Sequence, residues 1–442
     1  MGRGRQRPGR IRVADALAAA MTLHREGKLA NAAELYENIL QAVPAQPDAL
    51  HYYGVLCHQR GQSEKAARLI QSAIQLQPDY AAAYNNLGNV YKEQGRAADA
   101  AEMYRRLISL QPDHAEAYNN LGVALKQLGR YDEAVAAYND ALRRAPRYAD
   151  AYHNLGNALK KLGRVDEALS AYRQAILLKP QHSDAYLNLG RLLYAAGRTA
   201  DAVAVYEQWL AQEPDNPVAR HMRAACSGEG VPTRASDAYV RQTFDHFAGS
   251  FDVVLKRLDY QAPALVAAAV AQQLGSAGAQ LAVLDAGCGT GLCGPLLRPY
   301  ARRLSGVDLS PGMLSKAAGR DVYDELVQAE LTEFLGAHAV AWDLIVSADT
   351  LCYFGALDAI CKATAGALRA EGRFVFTVEL ATAEDAPQGY HIAPHGRYGH
   401  TRALVRTALM DTGLEVLGLD EVTLRLEAGN PVAGLLVVAS HV

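Results

Sequence analysis

Leu281-Ala-Val-Leu-Asp285-Ala-Gly287-Cys-Gly289-Thr-Gly291 is a short apolar run that ends in an acid and breaks into alternating glycines. A run of this length bounded by glycine reads as a buried strand, and the chain turns helical from Leu292. Further short apolar runs follow at 304–308, 326–329, 344–347, 374–378, 414–419 and 435–439, with helical stretches between most of them. The pattern predicts a seven-stranded, mostly parallel sheet with helices on both faces and a ligand at the carboxyl ends of its strands. The last two runs flank Glu427-Ala-Gly-Asn-Pro431 and should pair as an antiparallel hairpin.

Upstream the pattern is different. Gly27, Gly61, Gly95, Gly129, Gly163 and Gly197 recur every 34 residues, as do Ala32, Ala66, Ala100, Ala134, Ala168 and Ala202. Prolines 44, 78, 112, 146, 180 and 214 keep the same step. Within one unit, Tyr118, Leu121, Gly122 and Leu125 lie on one helical face, and Gly129 ends that helix. Asp132 and Glu133 suit the first turn of a second helix, and Pro146 closes it. Residues 10–213 resemble the tetratricopeptide repeat family, whose period this is. The first unit matches least, with Ala16, Ala19 and Ala20 in place of Tyr, Leu and Gly. The resemblance implies an all-α superhelix with a concave surface that takes a protein or peptide partner. Asn86, Asn120, Asn154 and Asn188 recur at one position and are expected to line that surface, either as a ladder for peptide main chain or as ordinary repeat residues.

Composition bounds what the chain does. Lys+Arg (44) and Asp+Glu (47) nearly balance, so no overall basic field points to nucleic acid. Arg3, Arg5, Arg7, Arg10 and Arg12 crowd the start, where residues 1–9 are expected to be disordered. No apolar stretch is long enough for a membrane helix. The six cysteines form no Cys-x-x-Cys, and no His/Cys/Asp/Glu cluster has metal-ligand spacing. A reduced, cytoplasmic, metal-free protein is expected. Its parts are repeats and a capping helix over 10–226, a linker over 227–234 and a second domain over 235–442.

The glycines decide the ligand. Gly289-x-Gly291-x-x-Gly294 matches a dinucleotide fingerprint, a weak signal by itself. Asp285 beside them would repel a pyrophosphate and would hold an ammonium group instead. S-adenosylmethionine carries an ammonium and a carboxylate, and the latter suits loop and helix amides.

Residues 235–442 resemble the Rossmann-like methyltransferases, with Asp285-Ala-Gly287-Cys-Gly289-Thr-Gly291 as their first motif. The resemblance implies S-adenosylmethionine as cofactor, Asp308 on its ribose hydroxyls, Leu309 and Met313 against its adenine, and Glu330 on the adenine amine. Ala348 and Asp349, at the end of the fourth strand, would stand beside the methyl group; Asp349 is equally a candidate helix cap. Phe244, Phe247 and Phe251 resemble the lid helices of small-molecule methyltransferases, and Tyr260 is a candidate for the methionine end. The whole chain resembles a family joining the repeats to a methyltransferase, through the lid and Asp349-Thr-Leu-Cys-Tyr353-Phe354-Gly355.

An oxygen or nitrogen acceptor must lose a proton, which asks for a base. His391, His395, Tyr398 and His400 lie in a glycine-rich stretch after the fifth strand. His400 is the first choice, because it precedes a helix beginning near Thr401. Three functions stay open: a methyltransferase whose repeats recruit a protein substrate or carrier, a small-molecule methyltransferase whose repeats serve assembly, and a non-catalytic scaffold.

Overall fold

The computed structural model describes residues 12–275, 277–427 and 429–441. The basic start at Arg3 to Arg10 lies outside the described residues. The chain divides into two compact units, 1–192 and 193–442.

The first unit is a run of antiparallel helix pairs. They are α1 (Val13–Arg25) with α2 (Leu29–Ala42), α3 (Pro47–Gln59) with α4 (Ser63–Leu76), and α5 (Ala81–Glu93) with α6 (Ala97–Leu110). Next come α7 (Ala115–Gln127) with α8 (Tyr131–Arg144) and α9 (Ala149–Lys161) with α10 (Val165–Leu178). The unit boundary falls inside α11 (Ser183–Ala195). Each turn glycine between the helices of a pair has φ between 74° and 76°, a left-handed conformation that glycine adopts without a Cβ clash. The repeat alanines Ala32, Ala66, Ala100, Ala134 and Ala168 are fully buried.

Crossing distance within a pair is set by a glycine as well. A Cβ on Gly122 would stand 2.5 Å from Cε1 of Tyr138, whose ring is fully buried. Gly88 and Gly156 meet Tyr104 and Tyr172 in the same way. Here packing outweighs the gain of about 1 kcal/mol in helix propensity that alanine offers. Gly122→Ala should therefore lower the unfolding free energy by about 1–3 kcal/mol in a denaturant titration. Gly366→Ala, at a helical position with open space around its Cβ, should raise it by about 0.5–1 kcal/mol.

The second unit contains α12 (Thr199–Gln212), α13 (Pro217–Ser227), α14 (Asp237–Phe247), α15 (Phe251–Arg257) and α16 (Ala262–Leu274) ahead of its sheet. The strands are β1 (Leu281–Ala286), β2 (Ala301–Asp308), β3 (Glu325–Gln328), β4 (Trp342–Ser347), β5 (Leu368–Leu380), β6 (Tyr390–Ile392), β7 (Tyr398–His400), β8 (Leu414–Glu427) and β9 (Asn430–His441). Between them run α17 (Gly294–Leu297), α18 (Pro311–Ala318), α19 (Leu331–Gly336), α20 (Asp358–Ala367) and α21 (Arg402–Met410). β3-β2-β1-β4-β5 are parallel, β9 pairs antiparallel with β5, and β8 pairs with β9. The order reverses between β1 and β4, the switch point where the glycine turn lies. The expected hairpin is present, with Glu427 opposite Asn430.

Two strands were not expected. β4 stops at Ser347 opposite Phe376, while β9 covers the other edge of β5 as far as Glu379. The edge left open at Glu379 and Leu380 is taken by β7, which carries β6 back along it. The glycine-rich stretch expected as a loop is therefore a hairpin built onto the sheet. The segment expected as a linker is pinned too. Thr233 O accepts from the amides of Gly355 and Ala356 at 2.8 and 2.9 Å, and Ala235 N–H donates to Tyr353 O at 2.8 Å.

Candidate active site

Asp308 ends β2 with both carboxylate oxygens turned to main chain. Oδ2 accepts the Gly289 N–H at 2.9 Å and Oδ1 accepts the Ser310 N–H at 2.8 Å. Val307 O takes the amides of Gly287 and Cys288, and Cys288 O takes that of Gly291. Four amides of the turn are thus engaged inside the protein, so the expected hold of these loop amides on a ligand carboxylate is not what the structure shows. The glycines differ in what they permit. A Cβ on Gly287 (φ +76°) would strike Thr350, and one on Gly291 would strike Tyr323. Gly289 (φ +54°) has nothing within 4 Å of that position, so the turn is open there. Two of the three expected ligand-facing glycines are therefore required by packing, and one by a face left free.

Asp285 lies beneath the turn, 1% exposed, and Oδ2 accepts the Tyr323 hydroxyl at 2.6 Å. Burial pushes this carboxyl up to about 7, against the pull of the Tyr323 hydrogen bond.

The helices α14 and α15, expected as a lid, carry two acidic contacts to the turn and its neighbour. Asp245 on α14 accepts from Ser310 Oγ (2.5 Å) and the Gly312 amide (3.1 Å) at the start of α18. Asp252 on α15 accepts from Thr290 Oγ1 (2.5 Å) in the glycine turn and faces Arg320 at 2.6 Å. Phe244 packs edge-on against Tyr353 at 5.3 Å, and Phe247 against Phe251 at 5.5 Å. Phe244 packs α14 on Tyr353, and Asp245 and Asp252 tie α14 and α15 to the start of α18 and to the glycine turn.

Residues 284–376 match the family described as methyltransferase domain, and residues 85–149 and 153–217 match the family described as tetratricopeptide repeat. The chain joins tetratricopeptide repeats to a methyltransferase domain. Methyltransferase-like protein 27 of Homo sapiens is 36% identical over 110 residues, 25% of this chain. The match spans 42% of that relative's length. Among solved structures, MamA is 24% identical over 37% of this chain and 96% of its own (TM-score 0.36). YrrB, titled a TPR protein with an unusual peptide-binding site, is 22% identical over 43% and 97% of the two chains (TM-score 0.37).

Several expected contacts of the methyltransferase domain stand differently in the structure. Glu330 is the N-cap of α19: Oε2 accepts from the Glu333 amide at 2.8 Å and Oε1 from Thr332 Oγ1 at 3.1 Å. Met313 is 1% exposed and its side chain faces the interior, whereas Leu309 and Ala348 are half-buried. Tyr260 is half-buried and close enough to Asp349 to feel its charge. His400, expected as the base, has Nδ1 buried with no hydrogen-bond partner among the described residues. It is fully buried, Nε2 lies 2.7 Å from Phe354 O, and burial pushes its pKa down to about 4. Tyr398 is buried with its hydroxyl donated to Pro232 O, and His391 is half-buried in β6.

Asp349 is no helix cap; Thr350 precedes the short turn that follows. Its φ of +56° is a left-handed conformation uncommon outside glycine, and its amide is held by Thr377 Oγ1 at 2.9 Å. Oδ2 receives Arg425 Nη1 at 3.0 Å, while Oδ1 is buried with no hydrogen-bond partner among the described residues. Burial raises the Asp349 pKa, and Arg425 and Arg397 oppose that rise.

Arg425, 1% exposed on β8, is the hub of a charged cluster that sequence reasoning missed. Its other nitrogens reach Glu379, and Glu427 at 2.8 Å. Arg397 faces Glu379 at 2.7 Å and also pairs with Glu427, and His395 Nε2 stands 3.5 Å from Glu379. Among the described residues no group of three or more His, Cys, Asp or Glu is arranged to hold a metal. No described helix is long and apolar enough to cross a membrane.

In the repeats, the asparagines face their neighbours. Asn86 Nδ2 lies 2.7 Å from His51 Nε2, Asn154 donates to Asn119 Oδ1 at 3.0 Å, and Asn188 Nδ2 lies 3.0 Å from His153 Nε2. Each pair spans 35 positions, so these amides clip successive units together. Asn86 and Asn120 also line a cavity of about 360 Å³ with Lys92, Glu93 and Glu116.

Two outcomes follow from the buried charges. Arg425→Ala leaves buried carboxylates uncompensated and should cost about 3–5 kcal/mol in a denaturant titration, with Arg425→Met costing less. For Asp285, the folded pKa near 7 lies above the ordinary 3.8. Its contribution is present below pH ~4 and is lost as pH rises toward 7. The melting temperature of Asp285→Asn minus that of the wild type should therefore climb by several degrees between about pH 4 and pH 7 and then level off.

Proposed function

We propose that the second unit transfers a methyl group from S-adenosylmethionine, and that the repeats recruit the protein that is methylated or that delivers the acceptor. The observation that carries this reading is the inward direction of the Gly287, Cys288, Gly289 and Gly291 amides. A pyrophosphate needs such amides pointing outward at its oxygens. A nucleoside with an amino-acid tail needs an acid at the end of β2 and an open face at Gly289. Both are present.

The residues fit the cofactor. An ionised carboxylate has about four acceptor positions, and the two amides leave Asp308 capacity for two ribose hydroxyls. Asp285, a buried acid held near neutrality, ionises readily beside an ammonium group. Asp245 and Asp252 hold the lid over the turn and exclude water. S-adenosylmethionine supplies a methyl group on a positively charged sulfur, already activated for in-line displacement. What falls to the chain itself is alignment and proton removal. Asp349 takes the proton in this reading, which its unpartnered Oδ1, an acceptor for an N–H or O–H, and the hold of Arg425 on its other oxygen support. The cavity at Asn86 and Asn120, with a lysine and two glutamates on its wall, suits a polar extended segment of the recruited protein.

Calorimetry on the full chain tests the cofactor. S-adenosylmethionine should bind and a nicotinamide dinucleotide should not. Asp308→Ala should weaken binding at least tenfold, about 1.4 kcal/mol. Binding of the dinucleotide alone, or an Asp308→Ala variant that binds S-adenosylmethionine as tightly as the wild type, would falsify the reading.

A further inference from the structure

The hairpin turn between β6 and β7 brings His395 and Arg397 to Glu379, and the residue between them, Gly396, is held from outside the sheet. His221 on α13 is 4% exposed, and its Nε2 lies 2.8 Å from Gly396 O. A carbonyl only accepts, so this nitrogen carries the proton. Burial lowers the pKa of His221 despite that bond, so the ring is neutral at pH 7 and its orientation is set by the contact. The ring is stacked on Tyr239 of α14 at 3.8 Å, and the neighbouring Met222 is fully buried. Gly396 has φ +91°, and a Cβ there would stand 2.4 Å from the Tyr239 hydroxyl and 3.3 Å from Met222 Sδ. The turn closes through Gly396 N–H to Ala393 O (2.7 Å) and Ala393 N–H to Arg397 O (2.8 Å). A second tie lies close by, from the Tyr398 hydroxyl to Pro232 O at 2.8 Å.

We propose that α13 is a brace for the acceptor side of the site, with His221 a positioning residue that sets Arg397 and His395 against Glu379. The significance of that side rests on the methyl-transfer reading; the brace itself does not. Arg397 shares both its carboxylate partners, Glu379 and Glu427, with Arg425, and Arg425 in turn aims Asp349. Displacing the turn removes one of the two cations that balance these acids. His395 registers the same displacement, because burial and Arg397 hold its pKa at about 4 against the pull of Glu379. α13 follows the last repeat in sequence, so a methyltransferase fragment that begins at the linker lacks this brace.

Amide exchange in the full chain tests the brace. His221→Ala should speed exchange at Ala393, Gly396 and Arg397 at least tenfold while β1 and β4 keep their protection. His221→Gln keeps an N–H donor and should restore slow exchange, and Gly396→Ala, by a steric route, should reproduce the loosening. In ring-carbon NMR, His395 should titrate near 4 in the wild type and move toward about 6.5 in His221→Ala. S-adenosylmethionine affinity should change less than twofold, since the glycine turn makes none of these contacts. Unchanged exchange at 393–397 in a folded His221→Ala protein overturns the proposal, as does an equal rise in β1 and β4. A wild type that binds no S-adenosylmethionine defeats the methyl-transfer reading and leaves the exchange data to judge the brace.

Discussion

The carboxylate of Asp308 accepts one amide from the turn after β1 and another from the turn after its own strand. This pair of charge-assisted bonds joins the two parallel strands at the end where the sheet order reverses. It also determines which way the turn faces. Gly289 N–H is drawn down to the acid and the neighbouring amides are bonded to Val307 and Cys288, and the turn is open at Gly289. The helices α14 and α15 depend on the same arrangement, since Asp245 reaches Ser310 and Gly312 on one side of it and Asp252 reaches Thr290 on the other.

The carboxyl end of the sheet carries a second constraint of a different kind. Arg425 is buried among Asp349, Glu379 and Glu427, and a buried arginine is tolerated only because its nitrogens meet carboxylates. Such a cluster adds little net stability over an apolar core, but it fixes orientation. Asp349 sits at a left-handed backbone position with one oxygen tied and one free. Strain and an unmet hydrogen-bonding group coincide where the chemistry is expected.

Periodicity made the repeats legible, because every unit solves the same packing problem with the same residues. The parallel sheet and the switch-point turn were legible from apolar runs broken by glycine, and the hairpin from Glu427-Ala-Gly-Asn-Pro431 between two apolar runs. The candidate site was legible at the strand ends: Asp285 lies in β1, Gly287 follows it, and Asp308 ends β2. It was not legible where partners come from distant segments. Glu330 reads as a ligand contact in sequence but caps its own helix, and His400 reads as a catalytic base but is enclosed by the loop at Phe354. Arg425 left one sign, a charge within the apolar strand Val422-Thr-Leu-Arg425-Leu, and its partners lie 46 and 76 positions away. Asp245 and Asp252 stood inside the aromatic segment that suggested a lid, yet nothing in their spacing named Ser310 or Thr290.

A crystal structure grown with S-adenosylhomocysteine addresses the central claim most directly. The account requires the ribose on Asp308, the amino-acid tail over Gly289, and the Asp245 and Asp252 latches intact above it. An empty cleft at saturating ligand, or a nucleoside seated away from Asp308, would contradict it.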